Sequence, residues 1–220
     1  MRTAKFLILI SIVLSLSACS SLNDGKISQD ILPWNKSGAI LLEDDFSDES
    51  SGWEVVNNIY ELKGYSNSGY MISVNLPDSR SVSTTGVSFT DSITDIEVQK
   101  ITGSRESQFG LICRFSDKFN FYAFVISSDG YAGIVRHVDG QTVLLGSDQY
   151  IRAEVINLED GINTLTASCI GENLRLIVND EVVVQAEDST FSNGQNGIFV
   201  ETYQEKASTV VFNDLIILKP

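Results

Sequence analysis

From residue 40 to the C-terminus, short apolar alternations recur, and none of them lengthens into a helical period. Successive side chains on a strand point to opposite faces, so a short segment alternating apolar with polar has one buried and one wetted face. Segments of this kind cover residues 40–46, 59–63, 70–75, 86–89, 94–102, 109–115, 121–127 and 133–137. They continue over 142–145, 163–170, 174–179, 182–186, 197–203 and 209–218. Turn signals stand between them: Ser128-Asp129-Gly130, Asp139-Gly140, Asp160-Gly161, Asn179-Asp180, Asn193-Gly194 and Asn196-Gly197. Asp-Gly and Asn-Gly pairs accept the positive φ that tight hairpins require. No dozen-residue stretch carries both a 3.6-residue period and helix caps. About fourteen strands in such a chain are too many for a small barrel and predict an all-β fold, two antiparallel sheets packed face to face.

The N-terminus is of another kind. Arg2 and Lys5 precede an apolar run over residues 6–16 that only two serines interrupt. A bilayer takes about 20 residues to cross, so this run has the length of a signal-peptide apolar region. Leu16-Ser17-Ala18-Cys19 follows at once and resembles the lipobox of bacterial lipoproteins. That resemblance implies cleavage before Cys19, a diacylglyceryl group on the Cys19 thiol, and a chain held on the cell membrane or outer membrane with its domain outside the cytoplasm. Two or more acyl chains anchor stably where one does not. The competing reading is an ordinary secretory signal that ends near a cysteine. The expected organisation is a signal peptide over 1–18, a lipidated and flexible tether over 19–41, and a β-sandwich over 42–220. Trp34 lies in the tether, either at the membrane interface or against the domain.

Lipidation of Cys19 leaves two of the three cysteines, Cys113 and Cys169. Cys113 is in phase with Leu111 and Phe115, and Cys169 with Leu165 and Ala167, so both point to a core face if these segments are strands. In an exported chain such a pair suggests a disulfide; two separate buried thiols are the alternative. The absence of a Cys-x-x-Cys pair excludes thioredoxin-like and zinc-ribbon roles.

Composition removes further classes. The formal charge is −14, which repels phosphate backbones and argues against nucleic-acid binding. A single His excludes a His-pair zinc site.

Several segments carry a family resemblance in their order along the chain. They are Leu42-Glu43-Asp44-Asp45-Phe46-Ser47-Asp48, Gly52-Trp53, Phe109-Gly110-Leu111-Ile112-Cys113-Arg114-Phe115 and Asn120-Phe121-Tyr122-Ala123-Phe124. The rest are Ser127-Ser128-Asp129-Gly130-Tyr131, Asn163-Thr164-Leu165, Leu174-Arg175-Leu176-Ile177-Val178-Asn179, Gly197-Ile198 and Val211-Phe212-Asn213-Asp214-Leu215. Together they resemble the concanavalin A-like lectin/glucanase jelly roll, in its laminin-G-like and 3-keto-disaccharide-hydrolase-like branch, over about residues 42–220. The resemblance implies a jelly-roll sandwich and leaves the activity open.

Glycoside hydrolysis needs two carboxylates set across the scissile bond. The Glu-x-Asp-x-x-Glu spacing that glucanases of this fold carry on one strand is missing, so no catalytic residues are assigned. Asp44, Asp45 and Asp214 would make a structural Ca²⁺ site if the first and last strands pair, because hard cations gather carboxylate oxygens; a solvated acidic loop is the plain alternative. His137 precedes an Asp-Gly turn and reads as a surface or hairpin residue. Arg114, Tyr122 and Tyr131 would form a sugar-binding cluster if they share the outer face of a sheet, with rings stacking and Arg bonding hydroxyls; packing pairs are the alternative. The expected function is a lipid-anchored, non-catalytic module that binds carbohydrate or an envelope protein. A glycoside-acting hydrolase and a purely structural envelope lipoprotein are the rivals.

Overall fold

The computed structural model of the protein describes residues 38–67, 69–204 and 207–220. The lipobox with Cys19, and Trp34 of the tether, lie outside the described residues. Among those described, the chain forms sixteen strands and no helix. They are β1 (Ile40–Asp44), β2 (Val56–Asn57), β3 (Glu61–Ser66), β4 (Gly69–Val74), β5 (Arg80–Phe89), β6 (Ser92–Thr102), β7 (Gln108–Asp117) and β8 (Asn120–Ser127). The second half comprises β9 (Tyr131–Val138), β10 (Gln141–Leu145), β11 (Ile151–Arg152), β12 (Asn163–Ile170), β13 (Asn173–Val178), β14 (Glu181–Glu187), β15 (Gly194–Glu201) and β16 (Ser208–Leu218).

Two antiparallel sheets result, as the strand pattern predicts. A nine-stranded sheet runs β14-β13-β12-β6-β16-β4-β3-β2, with β1 also on β16; a seven-stranded sheet runs β10-β9-β8-β7-β15-β5, with β11 also on β9. Their facing sides enclose one core, in which Leu111, Phe124 and Ile198 of the smaller sheet meet Leu165, Leu176 and Phe212 of the larger. At one end Phe46, Trp53 and Tyr70 pack ring against ring, with centroids 5.2–5.6 Å apart.

Cys113 on β7 and Cys169 on β12 form a disulfide, Cα atoms 6.8 Å apart, which staples one sheet to the other. It closes a sequence separation of 56 residues, worth about 4 kcal/mol in the chain-entropy account.

Three local readings are corrected. The strand expected at 86–89 is the tail of β5, whose first half is Arg80-Ser81-Val82-Ser83. Serines take the inward positions there, and Ser83 Oγ lies 2.8 Å from the Tyr70 hydroxyl, so hydrophobicity does not mark the strand. Asn196-Gly197 is no turn: it sits in a bulge inside β15. Asn196 is buried and donates across the sandwich to Ser92 Oγ and Thr94 Oγ1, both at 2.8 Å, while a Cβ on Gly197 would strike the Ser83 carbonyl oxygen at 2.1 Å. His137, read as a surface or hairpin residue, is 1% exposed.

Candidate functional site

The outer face of the seven-stranded sheet is built by register. Glu201 pairs with Arg80 on one side and Gln108 on the other, and Gln108 pairs with Ser127, so these four stand in one row across β5, β15, β7 and β8. Tyr131 begins β9 at the end of that row and pairs with Arg152. Farther along the strands the same face turns apolar. Ile112, Phe121, Ala123, Val125, Val135 and Phe199 form a second buried cluster, separate from the inter-sheet core.

Among the described residues no third sheet covers this cluster; side chains do. Arg80 crosses from β5, and one guanidinium nitrogen lies 2.6 Å from His137 Nδ1 on β9 while another lies 3.2 Å from Glu201 Oε1. His137 lies between the Phe121 and Phe199 rings, at 4.5 and 5.9 Å. Burial, reinforced by the neighbouring Arg80 charge, pushes the imidazole down to about 3, so it is neutral at ordinary pH. Arg80 can only donate, so Nδ1 accepts and the ring proton sits on Nε2. Burial raises the Glu201 carboxyl above its ordinary range, with Arg80 and the Tyr203 hydroxyl opposing the shift. Tyr203 is likewise raised, first by burial and then by the Glu201 charge.

Beside this bridge opens a cleft of about 600 Å³, whose lining includes Gln108, Tyr131, Thr142, Tyr150, Glu201 and Tyr203. Tyr150 lies against the sheet because residue 133 is glycine: a Cβ there would meet the Tyr150 ring at 2.6 Å. Its hydroxyl lies 3.2 Å from Gln108 Oε1. Tyr131 is 39% exposed, with the Arg152 guanidinium 6.0 Å from its ring centroid. Rings, amide and carboxylate thus converge on one recess, the mixture that recognises ligands with both apolar faces and hydroxyls.

The three residues expected to bind sugar do not come together. Tyr131 lines the cleft. Tyr122 is fully buried on the inner side, because it pairs with Cys113 and so shares its face. Its hydroxyl donates to Asp188 Oδ1 at 2.5 Å and receives the Phe191 amide at 3.0 Å; burial and that carboxylate raise it to about 12. Arg114 is 2% exposed, with φ of 53° in a bulge between β7 and β8. The bulge breaks the alternation, and the guanidinium donates to the Phe191 and Gly171 carbonyls, each at 2.7 Å. Arg114 and Tyr122 therefore hold the crossover between β14 and β15. Asp188 completes that crossover: burial alone would raise it, but Tyr122, Thr190 and Arg136 outweigh burial and keep the carboxyl below its ordinary value.

The acidic trio also separates. β1 and β16 do pair, with Asp44 opposite Leu215. Asp44 is committed within its own loop, accepting from the Phe46 amide and from Trp53 Nε1, both at 2.8 Å. Asp45 accepts from the Ser47 amide at 3.0 Å, and Ser47 holds its carboxyl below the ordinary value. Asp214 is exposed on a bulge with φ of 50°. Among the described residues no three His, Cys, Asp or Glu side chains gather as a metal site.

No family model matches the chain, and no curated protein matches it. Solved structures do. A carbohydrate-binding module, CBM66 from Bacillus subtilis, is 19% identical with a TM-score of 0.63, over 77% of this chain and 96% of that one. A Bacillus subtilis protein of unknown function with a galectin-like fold is 11% identical with a TM-score of 0.58, over 82% and 96%. A GH43 protein of Bacillus licheniformis is 15% identical with a TM-score of 0.58, over 81% of this chain but 39% of that one. At these identities the likeness is one of fold: the chain is a jelly-roll, galectin-like β-sandwich.

Proposed function

We propose that this sandwich is a non-catalytic carbohydrate-binding module, held at the cell envelope by a lipid on Cys19, and that it takes sugar on the outer face of the seven-stranded sheet. The observation that carries the reading is the 600 Å³ cleft, where Tyr131, Tyr150 and Tyr203 meet Gln108 and Glu201. Tyrosine rings bind the C–H face of a sugar, and the amide and carboxylate accept or donate to its hydroxyls. CBM66, by its name a carbohydrate-binding module, is built on the same kind of sandwich, which supports the reading by analogy of fold. A glycan array probed with the protein and with Tyr131→Ala tests it. Specific retention of a glycan by the protein, weakened at least tenfold by the substitution, is expected; no retention of any glycan overturns it. For the anchor, Cys19→Ser is expected to abolish palmitate labelling and release the chain from membranes; unchanged labelling overturns it.

One observation favours a second reading, hydrolysis of glycosides. Burial raises Glu201, the direction a general acid needs, and Glu106 and Asp129 line the same cleft. The Arg80 ion pair opposes that role. Turnover of 3-keto disaccharides or ordinary glycosides that Glu201→Gln abolishes would establish it; binding without turnover would retire it.

A further inference from the structure

Past Arg80 the outer face opens again, into a cleft of about 500 Å³ reaching over the edge of β5 to the larger sheet. Its wall on that side is Lys63, which is 5% exposed, donates to the Val82 carbonyl at 2.9 Å and pairs with Glu54 at 2.6 Å. Its opposite wall is the Phe119 ring, 49% exposed beside the Gly140 turn, with the Lys118 ammonium 4.9 Å from the ring centroid. Between them lie Val82 and Phe115, which pack on the outer apolar cluster and give the cleft its floor.

We infer that this second cleft is a further subsite of the same carbohydrate site, so that the face binds a linear, neutral glycan of several rings. The inference rests on the carbohydrate reading of the first cleft. The two recesses share one boundary: Arg80 lines the second and its ion-pair partner Glu201 lines the first. They lie toward opposite ends of β8. Ser127 lines the first, and Phe121, on the same face of the strand, packs at 5.7 Å against Phe115 of the second. Six residues of strand separate Ser127 from Phe121, about 20 Å at strand rise, so a glycan that fills both recesses to their far ends needs more than two rings. The charges decide the chemistry of the chain. Over the two linings together Lys63, Arg80 and Lys118 stand against Glu54, Glu61, Glu106, Asp129 and Glu201, so the face presents no net positive field. The whole chain carries −14, which disfavours a polyanion.

Isothermal titration with neutral gluco-, galacto-, xylo- and fructo-oligosaccharides of two to six rings, against oligogalacturonates of the same lengths, tests the inference. At least one neutral ladder is expected to gain tenfold or more in affinity between two and six rings, while oligogalacturonates stay at background. Phe119→Ala is expected to erase that gain and leave disaccharide binding intact; Tyr131→Ala is expected to weaken every length. Both residues are exposed, so both variants keep the fold, which the thermal midpoint checks. Binding that Tyr131→Ala weakens but that neither chain length nor Phe119→Ala changes would overturn the second subsite and leave the first standing. Binding of oligogalacturonates in place of the neutral ladders would overturn the neutral-glycan assignment. Silence from every ladder would overturn both readings.

Discussion

The two faces of β8 are almost equally buried, yet they are closed by different means. Tyr122, Phe124 and Ile126 look inward, where the nine-stranded sheet packs on them and the Cys113–Cys169 bond ties the layers together. Phe121, Ala123 and Val125 look outward, where Arg80, Leu144 and Tyr150 lie over them. A second layer of apolar side chains can move only if the sandwich opens. A long side chain held by one imidazole and one carboxylate can move by rotation. Depth of burial does not separate a core from a site: what covers the apolar surface does.

That contrast can be broken in order of expected effect. Replacing both Cys113 and Cys169 by Ala frees the unfolded chain and should cost about 4 kcal/mol in guanidinium denaturation, with the outer-face cleft unaffected in ligand binding. A loss below about 1 kcal/mol would mean that the inter-sheet core holds itself. Next come the two phenylalanines of β8. Phe124→Ala leaves a cavity between sheets and should cost about 3–5 kcal/mol, whereas Phe121→Ala should cost some 2 kcal/mol less, because the side chains above it can settle into the space. Equal losses would show that the outer cluster is as rigid as the core.

The third test is pH. His137 has a folded value near 3, below its ordinary 6.5, so the unfolded chain binds a proton in this interval that the folded chain refuses. Its contribution is therefore whole above about pH 6.5 and is lost as pH falls toward 3, at most about 1.4 kcal/mol per unit. His137→Phe should flatten that slope, and an unchanged slope would place the proton uptake elsewhere. The smallest effect on stability belongs to Tyr131→Ala, which should change it by less than about 0.5 kcal/mol while weakening sugar binding. A large stability loss would make Tyr131 part of the packing.

The sequence showed most of the fold and part of the site. All fourteen segments read as strands fall on strands, because period-two alternation is local and survives any arrangement of the sheets. The two-residue β2 and β11 escaped, being too short for a period to register, and the start of β5 escaped because serines fill its inward positions. Tyr131 was singled out and lines the cleft; Tyr150, Tyr203, Gln108 and Glu201 were not, since no local pattern links residues 108, 150 and 203. The one hint was Gly133, a glycine inside an apolar strand, which marks a close approach without naming what approaches.

The order of the longer strands, their antiparallel hairpins and the inward aim of Cys113 and Cys169 are legible in the sequence, since each follows from side-chain alternation and turn chemistry within a few residues. Sheet packing brings the two cysteine-bearing strands face to face, puts Tyr122 on Cys113's side and, through a bulge, turns Arg114 inward. It also carried Arg80 across to His137, 57 positions away. These are matters of register and sheet curvature, set by how the whole set of strands packs, and a one-residue slip would invert every one of them.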